Sequence, residues 1–337
     1  MSEHSALYWH WLEENAVQCD LCPHFCRLHP GKTGLCNVRT NQLPEGLVSL
    51  NYGMTSSVAI DPVEKKPLYH WKPGSRILSI GSVGCNMACP FCQNWPISTW
   101  SPSKGRYGNI SLHEVNPQEL VHLAETEGLL AVAFTYNEPL VSFEFVLDAA
   151  KTLKIHDLST VIVSNGLICH DPLDEIASYI DAANIDIKAF TDLAYRTMGG
   201  NLDTVLHTIE SLFRKGVHLE LTHLVVPGIN DRIEEFREMT KWISSFSDKI
   251  PLHISRYFPH HKWTEPPTNL ILMKEFDTIA REYLKYVYMG NVSGESITRC
   301  WSCGNRILTR TGYSISEQNI DNAGKCKFCG AENGIVI

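Results

Sequence analysis

Three closely spaced cysteines carry the clearest chemistry in this sequence. Cys85, Cys89 and Cys92 lie in the segment Gly-Cys-Asn-Met-Ala-Cys-Pro-Phe-Cys, which follows a strand-like run. A [4Fe-4S] cluster normally takes four cysteine thiolates, so a loop that offers three leaves one iron open to an outside ligand. The alternative is a zinc knuckle or a set of buried thiols, but three cysteines fall one ligand short of the usual closed structural zinc site. The spacing therefore favours a cluster with an open iron.

With Phe91 directly before the third cysteine, this loop resembles the signature of the radical S-adenosylmethionine (SAM) superfamily. The resemblance implies that Cys85, Cys89 and Cys92 hold a [4Fe-4S] cluster whose unique iron chelates the amino and carboxylate groups of SAM. It also implies reductive cleavage of SAM to a 5′-deoxyadenosyl radical. Because bound SAM presents an ammonium and a carboxylate, we expect the protein to supply one acidic acceptor and one cation nearby.

Length and composition limit the class of protein. The chain of 337 residues is long enough for one large α/β domain with small appendages. Its longest unbroken apolar run, residues 129–134, is far shorter than the roughly 20 residues of a membrane span. The first residues, Met-Ser-Glu-His-Ser, show no secretory signal, so we expect a cytoplasmic protein with reduced cysteines. The net charge of −8 argues against general attraction to nucleic acid, although it leaves a small RNA target open.

A second group of cysteines lies near the amino terminus. Cys19, Cys22, Cys26 and Cys36 fall within a short stretch that contains two glycines, which allow the backbone to turn tightly around an ion. This grouping predicts a metal site. Zinc and a further iron-sulfur cluster are both open, because a CxxC pair serves either. Residues 7–17, just upstream, are predicted to form a short amphipathic helix.

A third group lies near the carboxyl terminus, in a module predicted to span residues 291–337. Cys300 and Cys303 form one CxxCG knuckle, and Cys326 and Cys329 form another. Paired knuckles of this kind are typical of zinc-ribbon or rubredoxin-like sites. The pattern predicts a four-thiolate metal site that favours zinc over iron, with a further iron-sulfur cluster as the alternative.

Between these modules, residues 75–290 alternate between strand-like and helix-like segments. Six βα units in series predict an α/β fold with a parallel sheet that curls into a partial (βα)6 TIM-like barrel. The predicted strands are residues 77–80, 131–135, 160–163, 183–187, 218–226 and 252–257. The predicted helices are residues 117–127, 143–153, 172–180, 202–215, 232–246 and 270–284. Residues 1–74 are assigned to an amino-terminal module and an extended segment, with residues 46–60 extended.

Polar side chains follow the predicted strands, at the end where barrels of this kind carry their function. Asp186 and Lys188 share one face of their strand because strand side chains alternate. Together these residues predict a binding site at one rim of the sheet, and its other candidates are Asn137, Glu138, Ser164, Asn165 and His260.

Several motifs resemble the AmmeMemoRadiSam system radical SAM enzyme family, whose core is similar to the activating enzymes of pyruvate formate-lyase. They are Cys-Asp-Leu-Cys-Pro-His-Phe-Cys, Asp-Pro-Val-Glu-Lys-Lys-Pro-Leu-Tyr-His, the cluster loop, Tyr-Asn-Glu-Pro, Ser-Asn-Gly, Asp-Ile-Lys and Val-Pro-Gly-Ile-Asn-Asp. The proline-punctuated Asp61 segment is either a surface loop or part of the active site.

The family resemblance implies roles for individual residues. Glu138 stands where the activating enzymes use Gly-Gly-Glu to hold the SAM amino group, although Tyr136 and Asn137 replace both glycines. Lys188 aligns with a lysine that can pair with the SAM carboxylate, and Asp186 would orient it or help to hold a cation nearby. His260 matches a histidine after the sixth strand. The resemblance also implies Memo-like and AMMECR-like partners, and the chemistry needs an electron donor such as flavodoxin or ferredoxin.

These observations favour a radical SAM enzyme that abstracts hydrogen from an unidentified protein, peptide or metabolite. A narrower alternative is an activase of a glycyl-radical enzyme. A hypothesis of another class is a metal-stabilised scaffold that binds a partner protein or RNA and has a catalytically silent core. The scaffold would explain the flanking cysteine modules but not the polar residues at the strand ends.

Overall fold

The computed structural model describes residues 4–101 and 110–337. Short antiparallel strands make up the amino-terminal part, in a β2-β3-β4 sheet and a β1-β6-β5 sheet. Their bounds are β1 His4–Ser5, β2 Trp9–Trp11, β3 Val17–Cys19, β4 Arg27–Leu28, β5 Arg39–Gln42, β6 Gly46–Ser49 and β7 Met54–Thr55. The extended conformation expected for residues 46–60 is confirmed.

The helix expected over residues 7–17 is wrong. Trp9 pairs with Cys19, and Trp11 pairs with Val17, in an antiparallel hairpin. Its connection contains Glu14 and Asn15 in the left-handed region, which a continuing right-handed helix does not allow. Aromatic residues at alternate positions suit a strand, and the pairing brings β2 next to the strand that carries Cys19.

The main sheet of the described chain has eight strands, in the order β16-β15-β14-β13-β12-β11-β9-β8. Its strands are β8 Ser57–Pro62, β9 Arg76–Gly81, β11 Ala131–Phe134, β12 Ser159–Ser164, β13 Ala182–Asp186, β14 His218–Val225, β15 Leu252–Arg256 and β16 Val287–Gly290. A short β10, His113–Glu114, pairs with β7 outside this sheet. Within this sheet, the strands from β9 to β16 run parallel, and β8 is antiparallel to β9.

The helices lie in the connections between these strands. They are α1 Trp95–Ser98, α2 Pro117–Thr126, α3 Phe143–Ile155, α4 His170–Ala177, α5 Asp192–Thr197, α6 Leu202–Arg214, α7 Ile233–Ser244 and α8 Leu270–Tyr283. Side-chain oxygens of Asn116, Asn201 and Asn269 accept hydrogen bonds from backbone N–H groups and begin α2, α6 and α8. The six expected βα units are therefore confirmed.

Two edge strands go beyond the predicted barrel. Strand β16 adds a parallel strand after α8, and β8 brings part of the extended segment of residues 1–74 into the core sheet. Strand β11 is buried along its whole length, which is the burial expected of a parallel strand covered on both faces.

The carboxyl-terminal module contains a three-stranded antiparallel sheet that packs against the core. Its strands are β17 Glu295–Arg299, β18 Arg306–Thr311 and β19 Ser314–Gln318. The chain end returns to the core, where the N–H of Lys72 donates to the carbonyl of Val336 at 2.7 Å. Within the described residues, no helix is long and apolar enough to cross a bilayer.

Candidate active site

The loop with Cys85, Cys89 and Cys92 leaves the end of β9 and is held by the next strand connection. The Asn137 side chain donates to the Gly84 carbonyl at 2.9 Å and accepts from the Ser82 N–H at 2.9 Å. Asn137 lines the same cavity as the cysteines, but these two hydrogen bonds occupy its amide. Its observed contacts fix the start of the loop.

A cavity of about 540 Å³ opens at the carboxyl ends of the parallel strands. All three loop cysteines line it, together with most of the side chains that the sequence places at this rim. The predicted site residues among its walls are Asn137, Glu138, Ser164, Asn165, Asp186 and Lys188. The tertiary structure therefore brings together residues from four different strand connections.

Glu138 is an acidic residue of the cavity wall, and its side chain is buried. It accepts hydrogen bonds from the Leu140 N–H at 3.0 Å, the Ser164 hydroxyl at 2.8 Å and the Asn165 N–H at 2.8 Å. Burial raises the pKa of Glu138 to about 7, although these hydrogen bonds and Lys188 oppose the shift. A carboxylate has about four acceptor positions, so one remains for a ligand.

Lys188 supplies the cation. Its ammonium lies 2.6 Å from the Asp186 carboxylate. Burial opposes the charged form, but the neighbouring Asp186 carboxylate is the main group that outweighs it and raises the pKa of Lys188. Lys188 thus stays charged in the cavity wall, with Asp186 fixing its position.

Ser164 and Asn165 act mainly on their neighbours. The Ser164 hydroxyl contacts Glu138, and the Asn165 amide donates to the side chain of Asn86 at 2.9 Å. The same amide lies 3.8 Å from the sulfur of Cys85. Both residues therefore set the position of other site groups while they line the cavity.

The donor set fits an iron-sulfur cluster with an open iron. A single small ion requires ligand atoms that all lie close together. Among the described residues, the three loop sulfurs do not form a group whose atoms all lie within 4.8 Å of one another. A four-iron cluster instead binds each thiolate to a separate iron. Burial raises the pKa of Cys89 to about 11, an effect that Lys188 opposes. Cys89 therefore lies close enough to Lys188 to be affected by its charge.

His260 lies apart from these residues. Its side chain is exposed, and it is not among the residues that line the cavity. The buried His253 occupies the wall instead, with its ring 2.7 Å from Glu220. His253 lies near the start of β15 and His260 lies four residues beyond its end, and the sequence contains no signal that selects His253.

The proline-punctuated segment forms part of the cavity. Asp61 accepts from Lys65 at 2.8 Å, from Lys66 at 2.7 Å and from the Tyr136 hydroxyl at 2.6 Å. Burial opposes the ionised form, but these three donors outweigh it and lower the pKa of Asp61. Tyr136 has φ of 74°, a left-handed conformation in which a bulky residue is strained. The sequence left this segment open as either a surface loop or part of the active site, and its Lys66 lines the cavity together with Tyr136.

Comparisons with known proteins agree with this geometry. The sequence profile of the radical SAM superfamily matches residues 79–243. An uncharacterised protein of Methanocaldococcus jannaschii is 34% identical over 98% of this chain and 99% of its own length. The pyruvate formate-lyase-activating enzyme of Staphylococcus epidermidis is 26% identical over 57% of this chain and 78% of its own. The structure of Streptococcus suis SuiB bound to precursor peptide SuiA is similar in fold, with a TM-score of 0.50, 13% identity, and coverage of 68% of this chain and 51% of that one.

Proposed function

Because this chain belongs to the radical SAM superfamily, we propose that its cavity binds SAM with the amino group at Glu138 and the carboxylate at Lys188. When bound, the reduced [4Fe-4S] cluster supplies the electron that cleaves SAM to methionine and a 5′-deoxyadenosyl radical, which abstracts hydrogen from an unidentified substrate. The residues of this chain bind SAM and the cluster and orient them. Cys85, Cys89 and Cys92 hold the cluster.

One observation carries this proposal. A buried carboxyl group with one remaining acceptor position and a charged lysine line the same cavity as three thiols. Glu138 can accept from an ammonium, and Lys188 can donate to a carboxylate. These two groups match the two ends of the amino-acid portion of SAM.

The test is anaerobic reconstitution with iron and sulfide, followed by addition of dithionite and SAM. We expect methionine and 5′-deoxyadenosine in equal amounts, measured by liquid chromatography and mass spectrometry. The Cys89→Ala variant should form neither product, whereas Cys169→Ala, which changes a cysteine outside the cavity lining, should form both. Absence of both products from fully reconstituted protein contradicts the proposal.

We propose more narrowly that the chain is an AmmeMemoRadiSam system enzyme with Memo-like and AMMECR-like partners. The motifs of the cluster loop, Glu138, Lys188 and the Asp61 segment support this assignment. A flavodoxin or ferredoxin is the proposed electron donor. Binding of purified Memo-like and AMMECR-like proteins, measured by interferometry against the reconstituted enzyme, tests the partners. If neither protein binds, the proposal of these partners is wrong.

An activase of a glycyl-radical enzyme is a second candidate. The 26% identity to a pyruvate formate-lyase-activating enzyme over 57% of this chain favours it. The enzyme, SAM and a candidate glycyl-radical protein should then give a glycyl signal in electron paramagnetic resonance. If 5′-deoxyadenosine forms without this signal, the substrate belongs to another class.

We propose zinc for Cys300, Cys303, Cys326 and Cys329, and the sulfur spacing supports it. Two pairs of these sulfurs lie 3.6 and 3.7 Å apart. Tetrahedral zinc with Zn–S bonds of about 2.3 Å places thiolates about 3.8 Å apart. The Cys303→Ala/Cys329→Ala variant should lose one zinc per chain and keep its iron. Loss of iron with unchanged zinc contradicts the assignment.

We also propose a cytoplasmic location, since all twelve cysteines in the structure are free.

A further inference from the structure

The carboxyl-terminal cysteines show the sulfur spacing that suits a single metal ion. In the described part of the chain, Cys300, Cys303, Cys326 and Cys329 form the only group of three or more potential ligands whose atoms all lie within 4.8 Å. The amino-terminal cysteines Cys19, Cys22, Cys26 and Cys36 do not meet this spacing. A single zinc ion cannot bridge four sulfurs that are farther apart than its tetrahedral geometry allows.

The four amino-terminal cysteines nevertheless face one another. All four line one small cavity whose other walls are mainly apolar, including Leu21, Leu28, Leu35 and Val141. Cys85, Cys89 and Cys92 likewise line one cavity without the spacing that a single ion needs. The amino-terminal group therefore resembles the cluster loop and differs from the zinc-sized site.

Arg39 has one buried donor without a protein partner. Its side chain is 1% exposed and lines the same cavity, and its Nη1 donates to the buried Glu144 at 2.9 Å. Its Nε–H, however, has no hydrogen-bond partner among the described residues. A buried unsatisfied donor is costly, so it indicates an acceptor that the protein itself does not supply. Inorganic sulfide or thiolate sulfur would be such an acceptor.

The amino-terminal group touches the cluster loop at two points. The His24 ring donates to the carbonyl of Asn86, the residue after Cys85, at 2.7 Å. On the other side of Cys85, a Cβ added to Gly84 would lie 2.8 Å from the carbonyl oxygen of Cys36. His24 lies two positions from Cys22 and from Cys26, and Gly84 and Asn86 flank Cys85. The two contacts therefore connect the amino-terminal cysteine group to the cluster loop.

We infer that Cys19, Cys22, Cys26 and Cys36 bind a second iron-sulfur cluster, which passes single electrons to the cluster of Cys85, Cys89 and Cys92. The electron-transfer part rests on the proposed function. One electron enters from a reduced one-electron carrier protein, such as a flavodoxin, which is oxidised. The second cluster is reduced and then reoxidised as the loop cluster gains the electron, so no bond forms or breaks.

The first experiment removes the loop cluster with the triple variant C85A/C89A/C92A and reconstitutes the full chain anaerobically. We expect about two or four irons with equal sulfide per chain, and Mössbauer spectra of a cysteine-ligated cluster. A matched variant that also carries C19A, C22A, C26A and C36A should contain no iron and no sulfide. A second zinc ion per chain without sulfide, beyond the one assigned to the carboxyl-terminal cysteines, overturns the inference. Absence of iron from a triple variant with unchanged circular dichroism also overturns it. SAM cleavage by the unmodified enzyme is measured separately, so the two proposals fail independently.

The second experiment follows reduction of the loop cluster by freeze-quench electron paramagnetic resonance. In a C22A/C26A variant that retains the loop iron, reduction by flavodoxin hydroquinone should slow by about tenfold or more, whereas reduction by dithionite should not change. The His24→Ala variant keeps every thiol and tests the contact itself, so it should also slow. Unchanged flavodoxin rates in both variants overturn the electron-transfer part.

Discussion

At the residue scale, Glu138 shows how the fold prepares an acceptor for a cation. Its carboxyl group is buried, which disfavours the charge, yet three donors hold it in one orientation. The pKa near 7 that results means that a nearby ammonium would favour ionisation. The same group therefore serves as a structural acceptor for the Ser164-Asn165 turn and as the proposed contact for SAM.

The Glu138→Gln substitution tests this double role. Glutamine replaces one acceptor oxygen by a donor group, so one backbone N–H loses its partner and SAM loses its anionic contact. We expect a loss of about 1–3 kcal/mol in the free energy of unfolding and a comparable loss in SAM binding to the reconstituted protein. Denaturant titration and equilibrium dialysis measure the two effects. The exposed Glu125→Gln is the matched control, and unchanged SAM affinity in E138Q contradicts the assigned contact.

At the element scale, the β18–β19 hairpin delivers a buried arginine to the core. Arg310 donates to Thr298 at 2.9 Å and to the Tyr69 carbonyl at 2.5 Å, and its Nε lies 3.7 Å from Glu64. Its guanidinium also stacks on the Tyr69 ring at 4.3 Å. Tyr313, in the hairpin turn, lines the cavity. The carboxyl-terminal module thus forms part of the active-site wall.

The Arg310→Met substitution should destabilise the fold by about 3–5 kcal/mol, because it leaves the buried Glu64 without its cation. Denaturant unfolding measures the loss. The double variant R310M/E64Q should recover part of it, since the second change removes the unpaired charge. Arg306→Met, on the exposed side of the same strand, should change stability little. If R310M and R306M lose the same stability, the buried pair has no structural role.

The packing of α7 and α8 on β14 predicts a pH dependence. His223 is buried between Phe236 and Phe276 and donates to the Ile187 carbonyl at 2.8 Å. Burial lowers the pKa of His223 to about 4, from an unfolded value of about 6.5. Its stabilising contribution is therefore complete above pH 6.5 and is lost as the pH falls toward 4.

Between pH 6.5 and 5, the wild type should lose about 2 kcal/mol more stability than the His223→Gln variant, because glutamine does not titrate. Urea unfolding at each pH measures this difference. The comparison isolates His223 from other acid-sensitive groups, since both proteins share them. Parallel pH profiles of the two proteins contradict the prediction.

At the scale of the whole molecule, the contact between the amino-terminal module and the cluster loop is the critical junction. Gly84 has φ of 91°, and an added Cβ would lie 2.8 Å from both the Cys36 carbonyl oxygen and a methyl group of Val38. A side chain here would strain the backbone and force the two metal-binding parts apart. Glycine is therefore required by both conformation and close approach.

The Gly84→Ala substitution should reduce both the stability and the iron content of reconstituted protein. Gly128→Ala is the matched control, because Gly128 has φ of 63° and open space around its Cα. The control should cost about 1–2 kcal/mol for the left-handed backbone. G84A should cost about 1–3 kcal/mol beyond that, for overpacking. Equal losses in unfolding free energy would show that the close contact has no energetic effect.

The sequence predicted the six βα units well because their strands are short apolar runs flanked by helical periodicity, and local patterns specify both. It failed at residues 7–17, where aromatic and acidic residues gave a helix-like pattern. Antiparallel pairing of Trp9 with Cys19 decided the strand there, and pairing is not a local property. The short β16 was missed for the same reason, since it gains its hydrogen bonds from β15.

By itself, the sequence determined which groups could bind metals and SAM. These are three loop cysteines for an open-iron cluster, an acid and a cation at strand ends, and two flanking four-cysteine groups. Cysteine spacing along the chain does this because metal ligands in one loop are local. Only the tertiary structure decided how far apart the sulfurs lie, so that the carboxyl-terminal four suit one ion and the amino-terminal four do not. It also placed Arg39, His24 and Tyr313 at their sites, because contacts between distant segments depend on packing.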